Sequence, residues 1–457
     1  MRFQAPRGTR DFFPAEMAVR RHIEGAWRSA SIDFGFEEVD GPTFEHLDLY
    51  TVKSGDAIVS ELFSFTRAGG EDTYALRPEF TPTLARMIAS TGGKLPLPIK
   101  WFAIPNFFRA ERPQRGRLRE FFQWNVDLVG VDGPRADAEV IAVAVAALER
   151  LGLGPRDVQV KFSHRGAVSG ILSSLGVPAE RLGAAFELLD RRDKLEPAEL
   201  ARRRDALGLA GDAAVRFDEA VRTSVPLAAL LGGTAPLEVP ASDLQPLRAL
   251  GEELRAIGLL EWCHLDLGIV RGLAYYTGTV FEIHETSGAE RAVAGGGRYD
   301  GLVELFGGPS MPAIGFGMGD VVLGLVLRER GLLGASSPAT GAGGTSVPSV
   351  GGEIDLLPRP DAFVVSAGGD DADRAVRELV SKLRRAGLHA RFSYKSTRNV
   401  GKLLGEANRC RSRCAVIVGA ELADGQVVVK DLASGAQRIE ALDEVIRLVA
   451  DLRRRAT

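Results

Sequence analysis

The chain has 457 residues, of which 45% are hydrophobic and 26% charged; that is too long for one ordinary core, so two or three domains of a soluble globular protein are expected. A formal charge of -3 excludes a generally polyanion-coating protein and confines any nucleic-acid surface to a local patch. The 3 cysteines and 6 scattered histidines show no metal-ligand spacing and no disulfide framework, MRFQAPRGTRDFFP lacks the apolar core of a signal peptide, and the run Ile141 to Leu148 is too short to span a bilayer; the expectations are a cytoplasmic location, no protein-held metal and no membrane contact.

After Gly8-Thr9-Arg10-Asp11-Phe12-Phe13-Pro14, apolar Met17, Ile23, Ala26 and Trp27 recur near helical spacing and predict a helix from about Ala15 to Phe34. Phe36 to Val39, before Gly41-Pro42, reads as a short strand. Ser64 to Arg67 and Thr73 to Leu76 flank Gly69-Gly70 as the arms of a hairpin. Arg77-Pro78-Glu79-Phe80-Thr81-Pro82-Thr83 then enters a helix carrying Leu84, Ala85, Met87 and Ile88, with Thr81 placed to cap it and Pro82 at the first helical position. Taken alone, Glu79 is a surface carboxylate complementing that helix N-terminus.

The stretch from Phe107 to Gly130, FFRAERPQRGRLREFFQWNVDLVG, reads as two strands joined by a charged loop. Phe107, Arg109 and Glu111 share one face of the incoming strand, and Arg112, Pro113, Gln114, Arg115 and Gly116 form the loop. In the outgoing strand Arg117, Arg119, Phe121, Gln123, Asn125 and Asp127 fall on one face, and Leu118, Phe122, Val126 and Leu128 on the other. A row of amides and planar cations is costly to bury unless it meets water or a polar ligand. Arginine at a loop base can grip a phosphate with two parallel hydrogen bonds. Gln123 and Asp127 can together read an ammonium and a ring N–H.

The order F-R-A-E-R-P-Q-R-G-R-L-R-E-F-F-Q resembles the second signature motif of class II aminoacyl-tRNA synthetases in its histidyl-tRNA synthetase form. The N-terminal segment is then similar to the first motif of that family, which forms much of a dimer interface, and Leu76-Arg77-Pro78-Glu79 to the segment whose carboxylate meets the substrate α-amino group.

Ala136 to Leu151 predicts a helix, and Val158, Val160 and Phe162 a strand. From about 166 to 258 Arg-rich and Leu/Ala-rich segments punctuated by prolines predict a helical insertion. Its Arg191, Arg192, Arg202, Arg203 and Arg204 suit a solvated face or an RNA contact equally. Gly268-Ile269-Val270-Arg271-Gly272-Leu273-Ala274-Tyr275-Tyr276, a strand from Val280 to His284, and Gly295-Gly296-Gly297-Arg298-Tyr299-Asp300-Gly301 follow. These glycines match no GxGxxG or GxxxxGK[ST] fingerprint, which argues against Rossmann and P-loop folds. Both glycine-rich segments resemble the histidine-specific motifs of the same family. Ala313 to Asp320 and the apolar helix after it resemble the third class II motif, with two departures: Val322 stands where an arginine is usual, and Ala274 where an aspartate is common. Gly334 to Gly352 has the composition of a flexible linker, placed here within 334–358. Beyond it the alternation Ala362–Ser366 strand, Asp371–Ala386 helix, Ala390–Tyr394 strand, Val400–Arg409 helix, Ala415–Val418 and Val427–Lys430 strands, and Leu442–Leu452 helix predicts a small, largely parallel α/β domain. It resembles an anticodon-binding domain, with Tyr394, Lys395, Arg398 and Lys402 available to unstacked bases.

The resemblance implies an α+β catalytic domain over 1–333, an antiparallel sheet flanked by helices with the 166–258 insertion, and an α/β anticodon-binding domain over 359–457. It implies a homodimer whose substrates are histidine, ATP with Mg²⁺, and the histidine tRNA. Arg109 and Arg271 would act on the α-phosphate. Glu79, Thr81, Gln123, Asp127, Arg271, Tyr275 and Tyr276 would bind histidine; Arg109, Glu111 and Arg117 would bind ATP; Arg112 and Gln114 would approach the tRNA acceptor end. The competing expectations share this ancestry without the activity: a regulatory subunit of the first enzyme of histidine biosynthesis, which generally lacks the C-terminal domain and has eroded signatures, or an RNA-binding stress-sensor module.

Overall fold

The computed structural model describes residues 3–54, 56–192, 195–222, 224–235, 243–271, 276–333 and 356–454. Ala274, Tyr275 and nearly all of the 334–358 linker lie outside the described residues. The chain divides into two compact units, Met1–Leu356 and Leu357–Thr457.

The first unit is built on a ten-stranded sheet. Its strand order is Glu37–Glu38, Ile99–Ala103, Glu120–Val129, Ala313–Gly319, Ala294–Arg298, Thr279–Glu285, Val158–His164, Cys263–Asp266 and Ser224–Pro226, with Asn106–Phe108 pairing off this path onto Glu120–Val129. The pairings are antiparallel except between Glu37–Glu38 and Ile99–Ala103 and between Val158–His164 and Cys263–Asp266. Strand alternation turns Trp124, Val126 and Leu128 to one face, where they join the main core with Trp27 of helix Pro14–Asp33 and Val140, Ile141 and Leu148 of helix Pro134–Arg150. Trp27 and Trp124 stack at 6.0 Å, and Phe316 meets Trp124 edge-on at 5.0 Å. Both indoles are fully buried with their N–H groups satisfied: Trp124 Nε1 donates to Ser31 Oγ at 3.0 Å and Trp27 Nε1 to Met318 Sδ at 3.3 Å. Reducing such a ring to a methyl group costs about 3–5 kcal/mol. The other face packs in part against helix Thr81–Ser90, where Leu84 and Ile88 meet Ile99, Val129, Val280 and Ala313.

The helical segment begins with helix Arg165–Ser174 and runs through Leu182–Arg191, Pro197–Ala206, Asp212–Arg222, Leu227–Leu231 and Gln245–Ala256. Phe186, Leu189, Phe217, Leu247 and Leu254 share the main core with the sheet. Between these helices the Ser224–Pro226 strand pairs antiparallel with Cys263–Asp266. Its arginines are mostly partnered locally: Arg191 with Glu187, Arg202 and Arg203 with Glu199, Arg204 with Asp218. Arg192 donates to the Gly268 carbonyl at 3.0 Å. Local pairing of this kind fits a solvated helical face.

The second unit holds a five-stranded sheet in the order Ala390–Phe392, Ala362–Ser366, Cys414–Val418, Gln426–Asp431, Gln437–Ala441. The first three strands are parallel, but the last two add antiparallel, so the sheet is mixed rather than largely parallel. Helices Asp370–Arg385 and Val445–Arg454 close a core of Val364, Leu379, Leu383, Val416, Val429 and Val449.

Candidate active site

On the face of the sheet away from the paired indoles, Gln123, Asn125 and Asp127 follow one another along Glu120–Val129. The neighbouring strand sets Gly315 opposite Asp127 and Gly317 opposite Asn125. A Cβ on Gly315 would lie 2.1 Å from Asp127 Oδ1, and one on Gly317 would lie 1.5 Å from Gln123 Nε2. Only hydrogen leaves room there, so the polar side chains lie across a floor with no side chains of its own.

Asp127 is 3% exposed. Tyr299 Oη donates a hydrogen bond to its Oδ1. Burial, only partly opposed by that bond, pushes the Asp127 carboxyl up to about 7. Burial together with the adjacent Asp127 and Tyr276 pushes the Tyr299 phenol well above its usual range, so Tyr299 remains the donor. Tyr276 is buried in the same cluster as Tyr299 and Phe80. These groups can accept and donate to a small planar heterocycle.

Arg271 adjoins this floor. Among the described residues it and Arg411 are the non-glycine residues with a left-handed backbone, Arg271 at φ 54°, a conformation costing about 1–2 kcal/mol. Its NH1 donates to Glu282 Oε1 at 2.8 Å, and His284 Nε2 lies 2.8 Å from Glu282 Oε2. Burial raises the Glu282 carboxyl, but the His284 and Arg271 contacts override it and hold it down to about 2. A Cβ on Gly295 would lie 2.0 Å from Arg271 NH1. The guanidinium is therefore fixed by an ionised carboxylate beneath it and by the absence of a side chain beside it.

Arg109 enters from the neighbouring segment. Its Nε donates to the Pro78 carbonyl at 3.1 Å, and the guanidinium lies 5.1 Å from the Phe121 ring centre. This bond ties the Arg77-Pro78-Glu79 segment to the sheet. Arg77 itself is structural, buried and donating to Asp40 Oδ1 at 2.8 Å and the Asn106 carbonyl at 2.9 Å. Glu79 and Thr81 flank Phe80 and are both half-buried. Thr81 does not cap its helix: the cap position is Phe80, with no side-chain capping bond, and Thr81 opens the first turn of Thr81–Ser90. The proline that follows needs no N–H there.

The incoming strand stops at Phe108 and the outgoing one starts at Glu120, so Arg109 to Arg119 is loop. Gln114 and Arg117 close its tip through reciprocal backbone hydrogen bonds of 2.9 Å. Arg117 pairs with Glu111. The Arg112 and Gln114 side chains are exposed. Among the described residues no three His, Cys, Asp or Glu side chains converge in a way that could hold a metal ion.

Reasoning from sequence singled out Asp127, Arg271 and Tyr276 but missed Tyr299 and Glu282. The signal for Glu282 was present: it shares a strand face with His284, two positions on, opposite Gly295.

Residues 8–319 match the family model described as histidyl-tRNA synthetase, and residues 361–452 match the one described as anticodon binding domain. The histidine–tRNA ligase of Opitutus terrae is 38% identical, over 98% of this chain and 98% of its own length. The crystal structure of histidyl-tRNA synthetase from a Nostoc species superposes with a TM-score of 0.77 at 25% identity, covering 100% of both chains. A Bacillus halodurans structure titled ATP phosphoribosyltransferase regulatory subunit/histidyl-tRNA synthetase superposes with a TM-score of 0.70 over 92% of this chain and 99% of that one; at 23% identity it shows the fold alone.

Proposed function

The chain belongs to the histidyl-tRNA synthetase family, and from that premise we propose how its own residues carry the work of a histidine–tRNA ligase. The enzyme is ATP-dependent. In the first step a histidine carboxylate oxygen attacks the α-phosphorus of ATP, the bond to the bridging oxygen breaks, and pyrophosphate leaves. In the second, the terminal ribose hydroxyl of tRNA attacks the activated carbonyl and AMP leaves. The observation that carries the reading is the buried Asp127–Tyr299 pair with Tyr276 close by, next to the fixed cation Arg271, on one glycine floor.

Asp127 and Tyr276 hold the imidazole, and Tyr299 orients the carboxylate. Glu79, Thr81 and Gln123 hold the α-amino group, with Tyr275 assigned beside them on resemblance only. Arg109 and Arg271 bracket the α-phosphate, where charge builds in the transition state; fixed donors of this kind dominate such chemistry. Glu111 and Arg117 belong to the ATP side, and Arg112 and Gln114, exposed on the loop, face the acceptor end of tRNA. Magnesium enters as the counter-ion that ATP brings with it. A homodimer and a cytoplasmic location complete the proposal. No helix among the described residues is long and apolar enough to cross a membrane.

Charging tests the whole reading: labelled histidine should become acid-precipitable on the histidine tRNA, and other labelled amino acids should not. Loss of label specificity would contradict the pocket assignment. A finer test uses Asp127→Asn, which keeps the size but places an amide where the imidazole needs a full acceptor. An unsatisfied buried group costs about 1–3 kcal/mol, so the KM for histidine should rise about 5- to 150-fold with that for ATP nearly unchanged. The carboxylate is the binding form, and its fraction grows as pH rises through about 7. The ratio of wild-type to Asp127→Asn histidine affinity should therefore grow across that range. Taking the ratio at each pH removes the part of the substrate titration that is common to both proteins. A flat ratio, or a loss confined to ATP, would remove Asp127 from this role.

A further inference from the structure

We propose that Arg291 binds the β- and γ-phosphates of ATP in this chain, a cation supplied from a turn that meets the Asp320–Glu329 helix at the uncharged Val322. The inference rests on the ligase reading above for the identity of the nucleotide.

Three elements meet at Gly116. This glycine has φ +72°, and a Cβ built on it would lie 3.2 Å from Val322 Cγ2, 3.9 Å from Arg291 Cδ and 4.0 Å from Oε2 of Glu290, the carboxylate that Arg115 neutralises. Val322 is 7% exposed and brings no charge to that meeting point. Arg117, next along the loop, has its guanidinium pulled below the usual arginine range by burial and then by the charges of Arg291 and Arg109, which outweigh the opposing carboxylate of Glu61. Arg117 therefore lies within the field of both Arg109 and Arg291. Like charges gathered in this way favour an anion.

The cations nearby differ in how they are balanced. Arg115 is bonded to Glu290 and to Glu329, Arg117 to Glu111, and Arg10 to Asp320. Arg291 is exposed and makes no hydrogen bond or ion pair to any of the described residues. Its backbone is nonetheless held firmly. The Glu285 carboxylate accepts from Ser287 N at 2.9 Å, Ser287 Oγ at 2.7 Å, Ala289 N at 2.5 Å and Glu290 N at 3.2 Å. Those bonds hold the Glu285 carboxyl below its usual range in spite of burial. The buried Glu290 then receives Arg115 from the loop tip. A turn fixed at Glu285 and bolted to the loop through Glu290 thus presents the exposed Arg291 guanidinium beside Arg117. Arg109 is already engaged at the α-phosphate in the reading above. The charge of ATP still to be met is on its outer phosphates, and a planar fork suits two phosphate oxygens at once.

The test is equilibrium binding of ATP and of AMP to the full-length protein and to Arg291→Ala, with histidine-dependent exchange measured on the same preparations. Arg291 is exposed, so the variant should fold. Hydrogen bonds to charged groups of this kind are worth about 10- to 150-fold in binding. ATP affinity should fall by about that factor, while AMP, which lacks the outer phosphates, should bind both proteins alike. Unchanged ATP affinity in Arg291→Ala, or an equal loss for ATP and AMP, would overturn the assignment. Absence of histidine-dependent exchange in the parent protein would overturn the ligase reading separately, because the ATP and AMP comparison needs no turnover.

Discussion

Arg271→Ala should slow histidyl-adenylate formation by about 10²–10³-fold, the usual cost of one preorganised donor at a centre of developing charge. An exposed surface ion pair would be worth only about 0–1 kcal/mol, and the geometry argues against that alternative. The Arg271 side chain is 23% exposed and Glu282 is 21% exposed. The pair is reinforced by His284, and the arginine backbone is left-handed at φ 54°. A chain that keeps a non-glycine residue in that conformation bears a local cost. Because the benefit of the Arg271 cation grows as charge develops, the loss should fall mainly on the rate rather than on ATP binding. Arg271→Lys should rescue poorly, since a point charge cannot reproduce the fork. Pyrophosphate exchange near the parent rate in Arg271→Ala, with the fold intact, would remove Arg271 from catalysis.

Removing Leu357–Thr457 should leave adenylate formation within a few-fold of the intact chain while tRNA charging falls by orders of magnitude. Each unit closes its own core: Trp27, Trp124 and Val126 belong to one cluster, and Val364, Val416 and Val449 to another. The residues assigned to histidine and ATP all precede the second unit. That unit exposes Tyr394 to 87%, an aromatic face fit for a base, beside Phe392 at 4.7 Å. Lys395 and Arg398 nearby are engaged with Glu406 and with Asp370 and Asp373, so Tyr394 is the stronger candidate for contact. Exchange assays and charging assays on the truncated protein separate the two steps. Equal loss in both would mean that the second unit is needed for activation itself.

The polar row of the central strand was legible because its period of two is a property of the backbone. Gln123, Asn125 and Asp127 could be set on one face from spacing alone, and the register confirms the face by placing Gly315 and Gly317 beside them. The helix from Pro14 to Asp33 and the strand from Ala362 to Ser366 were legible for similar reasons. Strand Ala294–Arg298 was not: AGGGR has no strand propensity, and it forms because strands on both sides pair with its backbone. Strand Gln437–Ala441 was missed because it is a polar, mostly exposed edge. Tyr299 was hidden among glycines that drew attention to the backbone, and its bond to Asp127 joins residues 172 apart in sequence. The turn that holds Arg291 was equally silent, since its order comes from a carboxylate, Glu285, that reads as ordinary in sequence.

The measurement closest to the central claim is ATP–pyrophosphate exchange by the purified full-length chain without tRNA. Labelled pyrophosphate should enter ATP when histidine is present and not with the other standard amino acids. Absence of histidine-dependent exchange from a folded protein that still binds ATP would contradict the account and favour a regulatory subunit of the same fold.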